Sequence, residues 1–419
     1  MSATSLTSVL EALNSGTKHF HSGTHRTIAP EETLRKIRPL TPVMGITRIA
    51  NVTGLDCIGI PVVMVCRPNS RSIAVSQGKG TTLIAAKASG VMESIEGYHA
   101  EHITLPLKLA SYEELRYTHA LVEVNALPRP NPDVFHPNAQ VLWIEARDLL
   151  QKENLWLPYE LVHLNYTLPL PTGSGCFVAS SDGLASGNHI LEAVSHGICE
   201  LVERDAVTLW RLRGCAGHEL SRLGLESIDD ESSCQVLGQF EQAGIATGVW
   251  DVTSDIGIPA FFCFIAERKP NPLRPIPFGG GAGCHPCKEI ALLRALTEAA
   301  QCRLTAIAGS RDDFFRSKYD FFRDDKTERL NHEFLAHNGC LRHYRDISNF
   351  EGETLQDDVE WQLRRLESAG LHRVLVVDLT HPEFRIPVTR VVIPGLEPGC
   401  SSVDYSFGRR ARAILEAAA

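Results

Sequence analysis

The stretch that decides the fold is residues 180–210, SSDGLASGNHILEAVSHGICELVERDAVTLW. Its first part, residues 182–188, is a loop of small and polar residues, and the rest has apolar residues at helical spacing. The predicted helix carries three carboxylates and an adjoining arginine, which are Glu192, Glu200, Glu203 and Arg204. Because a helix N-terminus after such a loop offers backbone N–H groups to an anion, the stretch predicts a phosphate-binding element.

The carboxylates of this helix form an ExxE pair that recurs elsewhere in the chain. Two carboxylates three residues apart share one helix face, where they can hold a hard cation such as Mg²⁺. A single such pair is usually only a solvated helix face. Residues 86–96 and 193–203, however, align without gaps at four identical positions: Ala86 with Ala193, Gly90 with Gly197, Glu93 with Glu200, and Glu96 with Glu203.

A third version of the pattern lies at residues 291–303, ALLRALTEAAQCR, with Glu298 and Gln301 at the same spacing. Repeated solvated faces have no reason to keep the same carboxylate offset. Oxygen ligands from separate helices can bind Mg²⁺, which keeps water and phosphate oxygens in its remaining positions. The three copies together predict a nucleotide–magnesium site.

The composition is that of an ordinary globular enzyme. The 419 residues are 43% hydrophobic and 22% charged, which leaves room for two or three domains or one large α/β unit. The net charge of −9 argues against a general nucleic-acid binder. We find no apolar run of membrane-spanning length and no signal-peptide pattern, so we expect a cytoplasmic protein. The 12 cysteines are scattered through apolar contexts, which favours free thiols over disulfides.

A second repeat predicts pairs of strands. Asp251-Val252-Thr253 corresponds to Asp378-Leu379-Thr380, and Asn51-Val52-Thr53 is a looser copy. Each triplet follows a predicted strand and precedes an Ile-Pro pair with an apolar run. Strand pairs that alternate with the helices indicate one sheet-containing α/β architecture.

Two further features have both a functional and a structural interpretation. Lys79 lies between glycines in residues 77–80, QGKG, where it could reach a phosphate or could be a turn lysine at the surface. The segment is not a Walker A motif, since G-x-x-x-x-G-K-[ST] is absent. Arg204 could clamp a phosphate or form a helix salt bridge.

Cys284 and Cys287 form the single CxxC, and without a second one we expect no zinc site there.

Over about residues 41–395 the chain resembles the YcaO family of ATP-using peptide-modifying enzymes. The motifs that carry the resemblance are GKG at 78–80, SGVMESIE at 89–96, GLASGNHILEA at 183–193, ICELVERDA at 198–206 and RALTEAAQCR at 294–303. The resemblance implies an α/β fold: one large domain of internally repeated strand–helix units with mixed or antiparallel sheets. Residues 1–40 would then be a lead-in segment, and residues 396–419 a C-terminal tail.

The resemblance also implies ATP and Mg²⁺ as cofactors, with more than one Mg²⁺ plausible. The implied metal ligands are Glu93, Glu96, Glu192, Glu200 and Glu203. The implied ATP-binding residues are Lys79, Ser89, Glu93, Ser186, Asn188, Arg204, Glu298 and Gln301. No single catalytic residue is assigned.

Four stretches resemble the TfuA-associated branch of the family: PEETL, GITRIANVTGLD, IGIPV and RPNSRSIAVSQGKG, all before residue 81. Azoline-forming members commonly end in a proline-rich PxPxP tail, whereas this sequence ends RRARAILEAAA. Resemblance to this branch implies that the enzyme forms a backbone thioamide in a precursor peptide or protein. It also implies a TfuA-like protein as its partner. We expect neither a nucleic-acid nor a membrane partner, and a homodimer is an open possibility.

The hypothesis is that ATP activates a backbone amide after a sulfur nucleophile has added to its carbonyl. One alternative is an azoline cyclodehydratase that uses a Cys, Ser or Thr of the precursor. Another alternative, from a different class, is a non-catalytic nucleotide-binding accessory protein. Ligand carboxylates favour catalysis, because a pure scaffold has no need for them.

Overall fold

The computed structural model describes residues 16–269, 276–336, 341–399 and 405–418. The helices in this part of the chain are α1 Pro30–Ile37, α2 Leu83–Glu101, α3 Tyr112–Leu115, α4 Ile190–Leu212, α5 Gly214–Ser221, α6 Glu231–Gln242, α7 Lys288–Ala308, α8 Arg316–Phe322, α9 Asp325–Ala336, α10 Leu355–Ser368 and α11 Arg409–Ala418. None of them is long and apolar enough to cross a lipid bilayer.

The strands are β1 Arg48–Asn51, β2 Val62–Cys66, β3 Val75–Lys79, β4 Leu107–Ala110, β5 Val141–Asp148, β6 Asn154–Pro158, β7 Leu184–Ser186, β8 Ile245–Asp251, β9 Ala260–Glu267, β10 Phe278–Cys284, β11 Leu375–Asp378 and β12 Val388–Val392. Every pairing between these strands is antiparallel. The α/β class with antiparallel sheets is therefore confirmed.

The described residues divide into two compact units, and helix α2 contributes residues to both. Unit I contains residues 20–94 and 213–351, and unit II contains residues 95–212 together with the described parts of 1–19 and 352–419. The domain limits predicted at residues 40 and 395 remain predictions. Residues 1–15 of the lead-in segment, and 400–404 and 419 of the tail, lie outside the described residues.

Unit I contains two three-stranded sheets, in the orders β1-β2-β3 and β8-β9-β10. Helix α7 packs on β10 and β9, and α6 packs on α7. The core between these elements is apolar and fully buried, with Phe240, Phe261, Ile265 and Leu296 at its centre. Burial of these large side chains is the main source of stability for the unit.

Unit II contains one larger sheet in the order β4-β5-β11-β12-β7, with β6 paired to β5. Helix α4 packs on β12 and β7, and helices α10 and α11 pack on α4. Sixteen of the 23 residues of α4 are buried. A buried carboxylate is costly unless it has a hydrogen-bond or ionic partner. The burial of Glu192 and Glu203 on this helix therefore marks them as candidates for a binding site.

The strand-pair repeat predicted from sequence is present down to individual hydrogen bonds. In each hairpin, the Asp or Asn side chain accepts a hydrogen bond from the backbone N–H of the Thr two residues later: Asn51 from Thr53 at 3.1 Å, Asp251 from Thr253 at 3.0 Å, and Asp378 from Thr380 at 2.9 Å. The Thr hydroxyl then accepts the N–H of the next strand's first residue: Val62 at 3.1 Å, Ala260 at 3.1 Å, and Val388 at 3.2 Å. These local bonds explain why the polar triplet recurs.

A third strand completes each hairpin and leads directly into a carboxylate-bearing helix. The three-stranded arrangements are β1-β2-β3, with β3 before α2, and β8-β9-β10, with β10 before α7. In the third arrangement, β11-β12-β7, strand β7 precedes α4, whereas β11 and β12 follow it in the chain. In the two arrangements of unit I, glycine in the third strand lets the helix backbone approach closely. A Cβ at Gly78 would lie 2.0 Å from the Ala86 carbonyl oxygen, and one at Gly281 would lie 2.2 Å from the Ala299 nitrogen.

We predict that Gly78→Ala strongly destabilises the protein, because the new Cβ meets backbone atoms that cannot rotate away. The expected loss in the free energy of unfolding is about 3 kcal/mol, at the upper end for overpacking. Gly54→Ala is the matched control, since no atom lies within 4 Å of its added Cβ, and it should change stability by less than about 0.5 kcal/mol. Urea unfolding of the three proteins measures both values; equal stabilities would contradict the close approach.

Candidate functional site

In three places, the close approach of a strand to a helix gives a helix carboxylate a backbone N–H as its hydrogen-bond donor. The donor holds an equivalent position in each place. In each copy, a backbone N–H of the third strand or of the residue just before it donates to a glutamate on the helix that follows. The pairs are Gln77 with Glu93 at 3.3 Å, Gly183 with Glu200 at 2.9 Å, and Ala282 with Glu298 at 3.4 Å. The alignment of these three glutamates in the sequence therefore corresponds to a structural equivalence.

Within unit I, the carboxylate of Glu298 forms an ion pair with the ammonium of Lys79, and both side chains are about one-fifth exposed. Lys79 is the last residue of β3, and Glu298 lies in the middle of α7. The buried Gln77 side chain lies next to them and accepts hydrogen bonds from Gln301 at 3.4 Å and Thr305 at 2.7 Å. The structure thus pairs Lys79 with Glu298 and places Gln301 against Gln77.

In unit I, the pKa of Glu93 on helix α2 is raised. The cause is desolvation by the surrounding protein, and it outweighs the opposing effect of Arg311, Gln77 and Lys79. Arg311 begins a charged stretch of the sequence and was not assigned to the site. It is instead close enough to Glu93 to lower its pKa, and it is held by Asp313 at 2.5 Å. Nothing in the sequence pattern around Arg311 marked it, because it lies in an ordinary run of charges.

Within unit II, two predicted site carboxylates hold the loop before α4. Glu96 accepts hydrogen bonds from the backbone N–H of Ser186 at 2.8 Å and from its hydroxyl at 2.7 Å. Glu192, which is almost fully buried, accepts from the backbone N–H of Asn188 at 2.9 Å. The loop was expected to offer free N–H groups to an anion. It uses these two to orient carboxylates instead.

Three further carboxylates of unit II surround Arg204. Its guanidinium lies 3.5 Å from each of Asp182, Glu200 and Glu203. Burial raises the pKa of Glu200 to about 7, with further contributions from Asp182 and Glu203, while Arg204 lowers it. Asp182 was noted only as part of the loop, and its contact with Arg204 depends on the turn of the chain between β7 and α4. Buried Arg390 on β12 also interacts with Asp182 and Glu200, so two cations lie near these three carboxylates.

Two predicted features lie apart from these clusters. Ser89 is exposed on α2, one turn before Glu93. Cys284 and Cys287 are buried, and Cys287 donates to the Glu289 carboxylate at 3.0 Å. Burial raises the pKa of Cys287 to about 12, so the thiol stays protonated at neutral pH. A protonated, buried thiol has little nucleophilic reactivity.

The donor set in each unit fits Mg²⁺ and a nucleotide. The available ligands are carboxylate oxygens, which magnesium prefers, and their mutual repulsion favours a cation. Lys79 and Arg204 are partly exposed cations beside those carboxylates, where they can meet phosphate oxygens. Glu93, Glu96, Glu192, Glu200 and Glu203 would hold metal, and Ser89, Ser186 and Asn188 lie beside them in the chain. This is the donor chemistry of a nucleotide- and magnesium-binding protein.

The chain belongs to the YcaO family. Residues 77–397 match the family described as YcaO cyclodehydratase, ATP- and Mg²⁺-binding. The family consists of ATP-dependent enzymes that modify peptides, and its cofactors are the ATP and Mg²⁺ that the sequence predicted.

Two relatives align over nearly their whole length. A Rhizobium leguminosarum bv. trifolii protein described as lying in the tfuA 3′ region is 36% identical over 408 residues, covering 96% of this chain and 95% of the relative. A Methanothermobacter thermautotrophicus protein is 34% identical over 401 residues, covering 93% and 99%. Neither description names an activity.

Solved structures share the fold. A heterocyclase in complex with substrate and cofactor superposes with a TM-score of 0.77 at 26% identity, covering 95% of this chain. The chain spans about half of that protein, 55% of its length. YcaO from Methanopyrus kandleri, bound with AMPPCP and Mg²⁺, gives a TM-score of 0.72 at 24% identity, covering 91% of this chain and 95% of that one.

We predict that Glu200→Gln changes how stability depends on pH in metal- and nucleotide-free protein. Because the pKa of Glu200 is raised on folding, from 4.5 to about 7, its stabilising contribution is complete below about pH 4.5 and is lost as the pH rises through 7. Glutamine stays neutral, so the variant should gain stability over the parent between pH 5 and pH 8, by up to about 3 kcal/mol.

Urea unfolding at both pH values, with EDTA present, measures this gain. Glu145→Gln is the control, since Glu145 is an exposed carboxylate of strand β5 in the same unit. A Glu200→Gln variant whose advantage is the same at pH 5 and pH 8 would show that the pKa of Glu200 is not raised.

Proposed function

We propose that the protein uses Mg-ATP to activate a peptide backbone amide, and that a TfuA-like partner supplies the sulfur for a thioamide product. The main support for ATP dependence is a repeated contact. Glu93, Glu200 and Glu298 each accept a hydrogen bond from a backbone N–H at the strand before their helix. Such fixed, crowded carboxylates have no structural necessity, and they are suited to holding Mg²⁺. The tfuA-region relative, which aligns along 96% of the chain, supports the thioamide branch.

The reaction balances with sulfide as nucleophile. Sulfide adds to the amide carbon and the carbonyl oxygen becomes an oxyanion. That oxygen takes the terminal phosphoryl group of ATP, so ADP is released. The C–O bond then breaks, inorganic phosphate leaves with the former amide oxygen, and the C–S bond becomes the thioamide. No oxidant or reductant is needed.

The contribution of the chain's own residues is positioning and charge neutralisation. Lys79, paired with Glu298, and Arg204, surrounded by three carboxylates, provide cationic groups for phosphate oxygens. Backbone N–H groups fix the orientation of the carboxylates in advance, so little reorganisation is needed during the reaction. Mg²⁺ would neutralise the charge that develops between the phosphates.

The limits proposed for the catalytic domain are residues 41–395, with a lead-in before it and a tail after it. We propose the five glutamates at positions 93, 96, 192, 200 and 203 as the metal ligands. The proposed ATP-binding set consists of Lys79, Ser89, Glu93, Ser186, Asn188, Arg204, Glu298 and Gln301. The substrate in this proposal is a precursor peptide or protein.

Azoline formation is the second candidate function. The structural likeness to a heterocyclase at 26% identity favours it. In that reaction the nucleophile is a Cys, Ser or Thr side chain of the substrate, and the same phosphorylation removes the oxygen. The two products need the same nucleotide site, and they differ in whether the carbonyl is reached by an internal or an external nucleophile. A purely accessory role has less support, since it does not require the carboxylates.

We predict that Glu93→Gln and Glu203→Gln each abolish Mg-dependent ATP turnover, with at least about a hundredfold loss. The fold should be retained, because removing one of several like charges seldom destabilises a crowded acidic site. A phosphate-release assay and circular dichroism measure the two properties. Glu360→Gln is the control, as Glu360 is half-exposed on α10 and pairs only with Arg364 and Gln356. Full turnover in both site variants would exclude this assignment of the carboxylates.

We predict that the product is a thioamide. The protein is incubated with a TfuA-like partner, sulfide, Mg-ATP and its cognate peptide, and the peptide is weighed by mass spectrometry. Exchange of one oxygen for one sulfur, about 16 Da heavier, is expected only when sulfide and the partner are present.

Loss of water at a Cys, Ser or Thr, independent of sulfide and partner, would replace this prediction with azoline formation. Omission of ATP is the control in both cases, because either product requires phosphorylation of the oxyanion.

A further inference from the structure

A short closed loop in unit I brings two histidines face to face. Backbone hydrogen bonds join Phe20 and Arg26 in both directions, each at 3.0 Å. In an antiparallel pair with this register, the next residues inward, His21 and His25, stand directly opposite each other on the same face. Gly23 closes the turn with a φ of +70°, which a residue with a Cβ rarely adopts. The backbone therefore sets the spacing of the two imidazoles.

The two rings are close neighbours with different exposure. Their centroids are 4.9 Å apart, with an interplanar angle of 64°. His25 is buried, whereas His21 is exposed. The far side of His25 is packed edge to face against His285, whose ring centroid is 5.7 Å away. One imidazole is thus fixed inside the unit and the other lies at the surface above it.

A carboxylate from a distant part of the chain completes the group. Glu351 lies 3.3 Å from the Nε2 atom of His25, and its side chain is about half exposed. The backbone next to it is anchored within the same unit, because the Phe350 N–H donates to the Pro286 carbonyl at 3.0 Å. One ligand atom from each of His21, His25 and Glu351 lies within 4.8 Å of the other two. Three groups that are common metal ligands therefore converge from two anchored segments.

An ordinary histidine–carboxylate pair explains only part of this arrangement. Such a pair needs one imidazole, and a second protonated imidazole beside it would add repulsion. Two neutral imidazoles and a carboxylate instead offer three electron-pair donors within 4.8 Å of one another, which is favourable when a cation lies between them. Two histidines and one carboxylate are the ligand set of many zinc sites with an open fourth position.

We propose that His21, His25 and Glu351 form a binding site for a divalent transition metal, with zinc the best match. Imidazole nitrogen selects zinc over magnesium, whereas the glutamate clusters described above offer only oxygen. The metal would tie the 20–26 loop to the segment around residue 351 and leave one position for water or an added ligand. The site shares no residue with the proposed ATP and magnesium site.

The test measures zinc binding to the full-length protein in the presence of saturating Mg-ATP. ZnCl₂ is added, unbound metal is removed by gel filtration, and zinc per chain is counted by elemental analysis. We expect one zinc per chain in the parent and a rise in its unfolding temperature with zinc, because a ligand that binds only the folded state stabilises it. Neither readout depends on catalytic activity, so the result is independent of the proposed reaction.

His21→Ala and Glu351→Gln should each weaken zinc binding at least about tenfold. Both residues are exposed, so neither variant should fail to fold. His19→Ala and Glu353→Gln are the matched controls, two residues from the respective ligands, and should keep one zinc per chain. Less than stoichiometric zinc in the parent, or full zinc in either ligand variant, would overturn the proposal.

Discussion

The hydrogen bond from a strand backbone N–H to a helix glutamate is the constraint on which the candidate site depends. It forms only because the strand and helix backbones nearly touch, and they touch only because glycine occupies the strand at positions such as Gly78 and Gly281. A larger residue there would push the helix away and separate the carboxylate from its donor. Packing and chemistry are therefore set by the same small residues, as both copies in unit I show.

This coupling explains which parts could be predicted from the sequence. The ungapped match of residues 86–96 with 193–203 identified two of the helices and their glutamates, and the Asp-x-Thr triplets identified the hairpins. Both signals are local, since each depends on neighbours within one helix turn or one β-turn. The α/β class followed from them, whereas mixed or antiparallel sheets were implied by the resemblance to the YcaO family.

The residues that were missed are those whose role depends on distant parts of the chain. Arg311 affects Glu93 although 218 positions separate them, and its sequence context is that of any exposed charged segment. Asp182 lies before β7 and meets Arg204 because the chain turns back from β7 into α4, which helical spacing alone does not reveal. The loop before α4 was expected to present bare N–H groups, but Glu96 and Glu192 accept two of them. Whether a donor is already occupied is a property of the folded chain, and the sequence does not contain it explicitly.

The order of strands in unit II has a consequence for biosynthesis. Strands β1, β2 and β3 are consecutive along the chain, as are β8, β9 and β10, but β7 pairs with β12, whose residues come about 200 positions later. During translation, the edge of β7 that pairs with β12 therefore remains unpaired until residue 392 has been synthesised. Sheets joined over such long separations close slowly and expose aggregation-prone surface meanwhile. A ribosome-bound chain of this protein would need protection of that edge far longer than of either sheet in unit I.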